Sequence, residues 1–426
     1  MTLDNVHDKD SLKNKIRNIG EHARNAALGL ASTTVQDRRR ALNEISLQIC
    51  DHTKQIKNAN DKDIELAHSS GLNDALLDRL KLDEERILAI ARGLIEISKL
   101  DDPLGRVLDS RERPNGLNIQ RVSVPIGVIA VIYESRPNVT ADAGGLCLMS
   151  GNVAILRGGS ESFYSSEAIV SFMHAGLREA GLSESAIQLV PMRDRAAVGE
   201  LLKLEEFIDM VVPRGGRSLI ERVREDSRIP VLAHLEGICH TYIHAQADLS
   251  MAKEILLNAK MRRTGICGAT ETLLVDTDIA QELPVLIKPL VEAGCELRGD
   301  TTARVIDSSL IQATESDWKT EYLDAVLSIR VVNNLEHAIE HINRYGSHHT
   351  DSIVTNNELA AEKFMNEVDS GIVMHNTSTQ FADGAEFGMG AEIGIATGKL
   401  HARGPVGIEQ LTTYKYKVQG QGQVRP

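Results

Sequence analysis

Residues 124–160 read VPIGVIAVIYESRPNVTADAGGLCLMSGNVAILRGGS. The stretch opens on Val124–Tyr133, the most apolar run of the chain, interrupted by Pro125 and Gly127. Unbroken apolarity after Gly127, without alternation, is the pattern of a parallel strand buried on both faces. A small-residue helical run begins near Thr140 and carries Cys147. Val153–Leu156 reads as a second short strand, and Leu156-Arg157-Gly158-Gly159-Ser160 as the turn that opens another helix. Strand, helix and strand in that order make the unit of a doubly wound α/β sheet.

The same alternation runs outward from this stretch. Upstream, residues from about Asp10 to Leu100 read as helices, with Leu12, Ile16 and Ile19 at helical spacing and Leu76 to Leu94 repeating the pattern. Leu117–Val124 alternates, as an exposed ribbon would. Downstream, helices are expected over Ser162–Ala180, Arg195–Leu204 and Arg217–Arg224. Strands are expected over Ile187–Val190 and Ile208–Val212, with Val231–Leu235 leading into another. A second α/β unit follows, with helices Met251–Met261, Leu283–Ala293 and Leu335–Arg344 and strands Thr272–Val275, Val326–Val332 and Ser352–Val354. From about His375 the chain is Gly-rich and reads as loop, and the tail Gln419–Pro426 reads as flexible.

Composition narrows the function classes. Lys and Arg number 47 against 60 Asp and Glu, a formal net charge of -13, which argues against a nucleic-acid partner. No segment has the roughly 20 apolar residues of a membrane span. Met1–Asp10 is polar and acidic, unlike a secretory signal. Cys50, Cys147, Cys239, Cys267 and Cys295 are odd in number and show no CxxC, so neither a disulfide framework nor a zinc site is expected, and a reducing cytoplasm is.

Cys267 is the leading nucleophile. It sits in Arg262-Arg-Thr-Gly-Ile-Cys267-Gly268, a Gly-flanked bend between a helical and a strand pattern. A bend exposes the thiol, glycines admit a substrate to the backbone, and cations favour thiolate. Arg262 and Arg263 would equally answer a helix C-terminus. Cys239 is the rival, in His234-Leu-Glu236-Gly-Ile-Cys239-His240. Cys50 and Cys147 read as core residues. Two strand-to-helix turns, Arg157-Gly158-Gly159-Ser160 and Arg214-Gly215-Gly216, combine small residues, helix N–H groups and an arginine, a setting for phosphate. Glu134-Ser-Arg136-Pro-Asn138 closes the first buried strand; Arg136 suits an anionic substrate group, and Asn138 suits an oxyanion or a helix cap. Gly388-Met-Gly390 and Gly394–Leu400 are near-misses of dinucleotide and P-loop motifs.

Together the stretches 124–160, 211–220, 230–240, 258–275 and 380–416 resemble the γ-glutamyl phosphate reductases, a branch of the aldehyde dehydrogenase superfamily. The resemblance implies an α/β fold with a Rossmann-type NADP-binding domain (1–110 and 126–236), a catalytic domain (237–404), and a β oligomerisation ribbon and tail (111–125 and 405–426). It implies Cys267 as nucleophile and Asn138 as oxyanion donor. Arg157, Gly158, Gly159, Ser160, Arg214, Gly215, Gly216 and Glu321 would bind NADPH, Glu321 through a ribose. Arg136 and His234 would face substrate. No metal is implied.

His234 falls where hydrolytic relatives carry the glutamate that activates water, although Glu236 is close by. Gln380 stands where an arginine is expected and Gly268 where an asparagine is. The implied reaction is reduction of glutamyl phosphate by a homo-oligomer, with glutamate 5-kinase as a candidate associate. The alternatives are oxidation of a free aldehyde, with a base at Glu236 or His234, and a silent scaffold.

Overall fold

The structure is a computed structural model that describes residues 3–72 and 74–425, the side chains of 3–10, 74 and 75 apart. Met1 and Thr2 of the polar N-terminal stretch and Pro426 of the tail lie outside the described residues. The chain divides into two compact units. One comprises Met1–Ala233, Gly388–Gly394 and Val406–Pro426, the other His234–Phe387 and Ile395–Pro405.

In the first unit, helices Leu3–Leu30, Val35–Asp51, Thr53–Ser69, Asp74–Leu80 and Glu84–Lys99 precede the sheet. Thr34 starts the second of them with a reciprocal cap, its side chain accepting from Asp37 N–H while the Asp37 carboxylate accepts from the Thr34 backbone. Parallel strands stand in the order Ile187–Leu189, Val153–Arg157, Val128–Tyr133, Met210–Arg214. All six residues of Val128–Tyr133 are buried, as unbroken apolarity requires.

Helix Asn138–Met149 is buried nearly all round. Its glycines permit that: a Cβ on Gly145 would lie 2.6 Å from Leu94 Cδ2, and one on Gly144 2.7 Å from Met173 Cε. The same unit holds a three-stranded antiparallel sheet, Val107–Glu112 beside Asn118–Pro125 beside Thr412–Gln419. The strand Val107–Glu112 carries no sequence signal because it is exposed along nearly its whole length.

The second unit is built on parallel strands in the order Ile311–Gln312, Glu296–Gly299, Val326–Val332, Thr270–Asp276, Cys239–Ile243, Thr350–Val354, Ile372–His375. Period-two alternation divides the core. Leu273 and Val275 feed the cluster with Leu256, Leu286 and Ile287, and Leu274 feeds the one with Ile342, Ile353 and Phe364.

Three expectations shift. The strand that Val231–Leu235 was expected to lead into begins only at Cys239, past Gly237, and Val231 itself makes an isolated bridge to Val211. Cys50 is exposed, not core: the apolar stripe of its helix runs through Ala41, Leu42, Ile45 and Ile49, and Cys50 lies one position further round. The stretch from His375 is not all loop, since Thr412–Gln419 is a strand.

Candidate active site

Three segments of the second unit converge on one edge of its sheet. His234 precedes strand Cys239–Ile243, Cys267 precedes Thr270–Asp276, and His349 precedes Thr350–Val354. These strands are adjacent and parallel, so their lead-in residues share the amino edge. Ligands of open α/β sheets usually meet the carboxyl edge. Here the donor atoms of His234, Cys267 and His349 all lie within 4.8 Å of one another at the opposite one.

Cys267 is half-buried, its side chain against the cluster of Ile372, Met374, Ala382 and Ile395. Its backbone is clasped from two sides. A Cβ on Gly237 would collide with the Cys267 carbonyl, and one on Gly268 would come within 3.2 Å of the Thr379 oxygen. Glycine at 268, where asparagine was expected, therefore keeps the turn close to Thr379. His234 donates its Nδ1–H to the Ile395 carbonyl at 2.8 Å, so in the neutral ring the lone pair is the one on Nε2. His349 is fully buried, its Nδ1 2.9 Å from Thr350 Oγ1, and its ring meets that of His234 edge-on at 5.1 Å. His349 carries no signal in the sequence: it lies 82 positions after Cys267 and nothing around it resembles a motif.

The rival nucleophile falls away. Cys239 is fully buried, burial pushes its thiol well above the ordinary range, and its Sγ–H donates to the Cys267 carbonyl at 3.1 Å. His240 is fully buried too, its Nδ1 2.8 Å from Asp351 Oδ1, so it braces two adjacent strands.

Glu321 accepts the Gly237 N–H at 2.8 Å; burial raises its pKa, that hydrogen bond opposes the rise, and the charge of Glu236 adds to it. Gln380 donates to the carbonyls of Ala259 at 2.9 Å and Arg263 at 3.3 Å. Arg262 donates to Gln380 Oε1 at 3.4 Å. Gln380 and Arg262 thus close the end of helix Leu249–Met261.

The other candidates belong to the first unit. Asn138 is the first residue of its helix and makes no cap; Pro137 holds the cap position. The Asn138 amide donates instead to Asp142 Oδ2 at 2.9 Å, and burial pushes the Asp142 carboxyl up to about 6. Arg136 lies in the turn between that helix and strand Val128–Tyr133, beside Ser135 in the left-handed region at φ 47.

Both glycine turns already hold carboxylates of the chain. Glu134 accepts the Gly216 N–H at 3.0 Å, and Glu161 accepts the Ser135 N–H at 2.6 Å beside Gly159. The helix opened by Gly158-Gly159-Ser160 gives its Tyr164 and Ser165 N–H groups to Asp63. Arg157 is buried and donates to the carbonyls of Gly158 at 2.9 Å and Arg193 at 3.2 Å. Arg214 packs on Gly394, whose Cβ would lie 2.7 Å from Arg214 Nη1. The near-miss P-loop is spent on a surface ion pair, Lys399 with Asp369 at 2.6 Å.

The chain matches the model of the aldehyde dehydrogenase family over residues 5–302 and 309–415. It is 57% identical to the γ-glutamyl phosphate reductase of Paramagnetospirillum magneticum over 98% of this chain and 99% of that one. To the enzyme of the same name from Rhodospirillum rubrum it is 58% identical over 98% of each. The crystal structure of γ-glutamyl phosphate reductase from Thermotoga maritima matches with a TM-score of 0.95 at 43% identity, covering 97% of this chain and 100% of that one.

Proposed function

The chain belongs to the aldehyde dehydrogenase family, in its γ-glutamyl phosphate reductase branch, and from that premise we propose that it reduces L-glutamyl 5-phosphate to L-glutamate 5-semialdehyde and phosphate through a thioester on Cys267. The observation that carries the reading is the setting of that thiol. It is half-buried on a glycine-clasped turn, with the imidazoles of His234 and His349 beside it.

Cys267 attacks the acyl carbon, the C–O bond to phosphate breaks, and the thioester forms. The carbonyl oxygen takes negative charge in that step, and Asn138 is the proposed side-chain donor to it. Asp142 takes one of the two amide N–H groups of Asn138, and the other is the proposed donor. His234, whose Nδ1–H is engaged by the Ile395 carbonyl, is the proposed group to take the thiol proton at Nε2 and to return a proton when the reduced adduct collapses to aldehyde and thiol. A thioester accepts hydride more readily than a carboxylate, and the covalent bond holds the carbon in place for the transfer.

The nicotinamide cofactor, in this reading NADPH, supplies the hydride when bound. The donor set of the first unit fits such a group. The Arg157 Nε is buried and meets no partner among the described residues, and Ser160, Arg214 and the N–H groups of Gly215 and Gly216 add phosphate chemistry. Glu134 would leave the Gly216 N–H for a phosphate to take its place. Glu321 is the proposed ribose contact, and Arg136 would hold an anionic group of the substrate.

The product would cyclise to 1-pyrroline-5-carboxylate, the precursor of proline. The reading extends to a cytoplasmic homo-oligomer, assembled through the three-stranded sheet, that receives its labile substrate from glutamate 5-kinase. Among the described residues no helix is long and apolar enough to cross a membrane.

The reverse reaction tests the proposal. Glutamate 5-semialdehyde should reduce NADP⁺ only when phosphate is present, and Cys267→Ala should abolish it. Oxidation that proceeds equally without phosphate would assign the chain to free-aldehyde oxidation instead.

A further inference from the structure

The geometry points to a divalent-metal site formed by Cys267, His234 and His349, suited to Zn²⁺, whose occupation takes the thiol out of reaction. One sulfur and two imidazole nitrogens are a zinc donor set, and three protein ligands leave a fourth position for water. The donor atoms lie within 4.8 Å of one another. Tetrahedral Zn–S and Zn–N bonds need them roughly 3.5 Å apart, so closure takes about an ångström of side-chain movement. Cys267 and His234 are half-buried and would make the movement, while fully buried His349 forms the floor.

Two further observations support a ligand here. The bond from His234 Nδ1–H to the Ile395 carbonyl is the outer-shell contact that metal-binding histidines make, and it aims the other nitrogen as a lone pair. The Glu321 side chain accepts the Gly237 N–H at 2.8 Å, which sets an acidic group beside the turn that clasps Cys267.

Binding is a ligand exchange. The thiol proton goes to solvent, the ion sheds waters, one S–Zn and two N–Zn bonds form, and no oxidation state changes. The bound sulfur can no longer attack an acyl carbon. That inhibition rests on the nucleophilic role proposed for Cys267, whereas the binding does not.

Cobalt(II) added to the full chain is the probe. One equivalent should give a sulfur-to-cobalt charge-transfer band and the intense visible bands of a four-coordinate ion, both erased by Zn²⁺. Cys267→Ser should lose the charge-transfer band. His234→Gln and His349→Gln should each weaken binding at least roughly tenfold, the loss that even an outer-shell defect brings. A band that persists in Cys267→Ser, or affinities unmoved by both histidine variants, overturns the site.

Zn²⁺ should also protect Cys267 of the unaltered protein from iodoacetamide, reversibly on chelation. Full labelling in saturating Zn²⁺ overturns the site even where a variant fails to fold. Cobalt binding together with full turnover in Cys267→Ser would leave the metal site standing and remove the nucleophile assignment.

Discussion

Cys239 donates its Sγ–H to the backbone carbonyl of Cys267 across 3.1 Å. The two cysteines therefore have unequal tasks. One is buried with its proton held, and the other is presented half-exposed on the turn that the first supports. Iodoacetamide should label Cys267 and exposed Cys50, and spare Cys147, Cys239 and Cys295, read by peptide mass spectrometry. Cys239→Ala should lower turnover by up to about tenfold, the worth of one buried hydrogen bond, and Cys239→Ser should restore most of it. Equal turnover in the alanine and serine variants would show that the bond does not position Cys267.

Asn138→Ala should reduce the rate roughly 10²–10³-fold, the usual cost of one oxyanion donor. The helix should survive, because Asn138 makes no cap hydrogen bond. Thermal melting and the reverse assay together check this. A lower melting temperature with normal turnover per folded molecule would return Asn138 to a structural role.

Asp142 sets a pH dependence of stability. Burial raises its carboxyl from 3.8 to about 6 in the folded chain. The native state then binds more protons than the unfolded chain between those values, so this group's contribution favours folding at low pH and is lost as pH rises from about 4 to about 6. A shift of about two units is on the order of 3 kcal/mol. Asp142→Asn should remove that slope and raise stability at pH 7, measured by urea unfolding across the window. An unchanged slope would mean that the carboxyl titrates alike in both states.

Arg157→Ala should raise the dissociation constant of NADPH more than that of NADH, followed by nicotinamide fluorescence. The extra loss belongs to a 2′-phosphate, the one group by which the two cofactors differ. Equal losses would mean that Arg157 serves its contacts to Gly158 and Arg193 and nothing more.

What could be read beforehand follows from how local each signal is. Val128–Tyr133 announces a doubly buried strand because its own six residues carry the whole pattern. Cys267 is legible for a similar reason, since the glycine bend that presents it lies within a few residues. His349 is illegible because its role comes from sheet order, which no stretch of sequence displays. Helix Glu358–Glu367 is equally silent in the sequence; its buried residues are Ala360, Ala361 and Phe364, two of them too small to make an apolar stripe. The glycine turns read as open anion cradles until Glu134, from the end of a neighbouring strand, is seen to accept the Gly216 N–H, and Glu161 to lie back beside Gly159 while accepting the Ser135 N–H.

The three lead-in segments at the amino edge have one further effect. Neighbouring strands of a sheet keep a pitch of about 4.8 Å, fixed by backbone hydrogen bonding. His234, Cys267 and His349 each hang from one of three adjacent strands. The order of the three residues along the edge is therefore set by the main chain, and their final approach by the turns that precede the strands, Gly237 against the Cys267 carbonyl among them. Exchanging any one of the three side chains changes the chemistry at its rung while the strand order that ranks them stays the same.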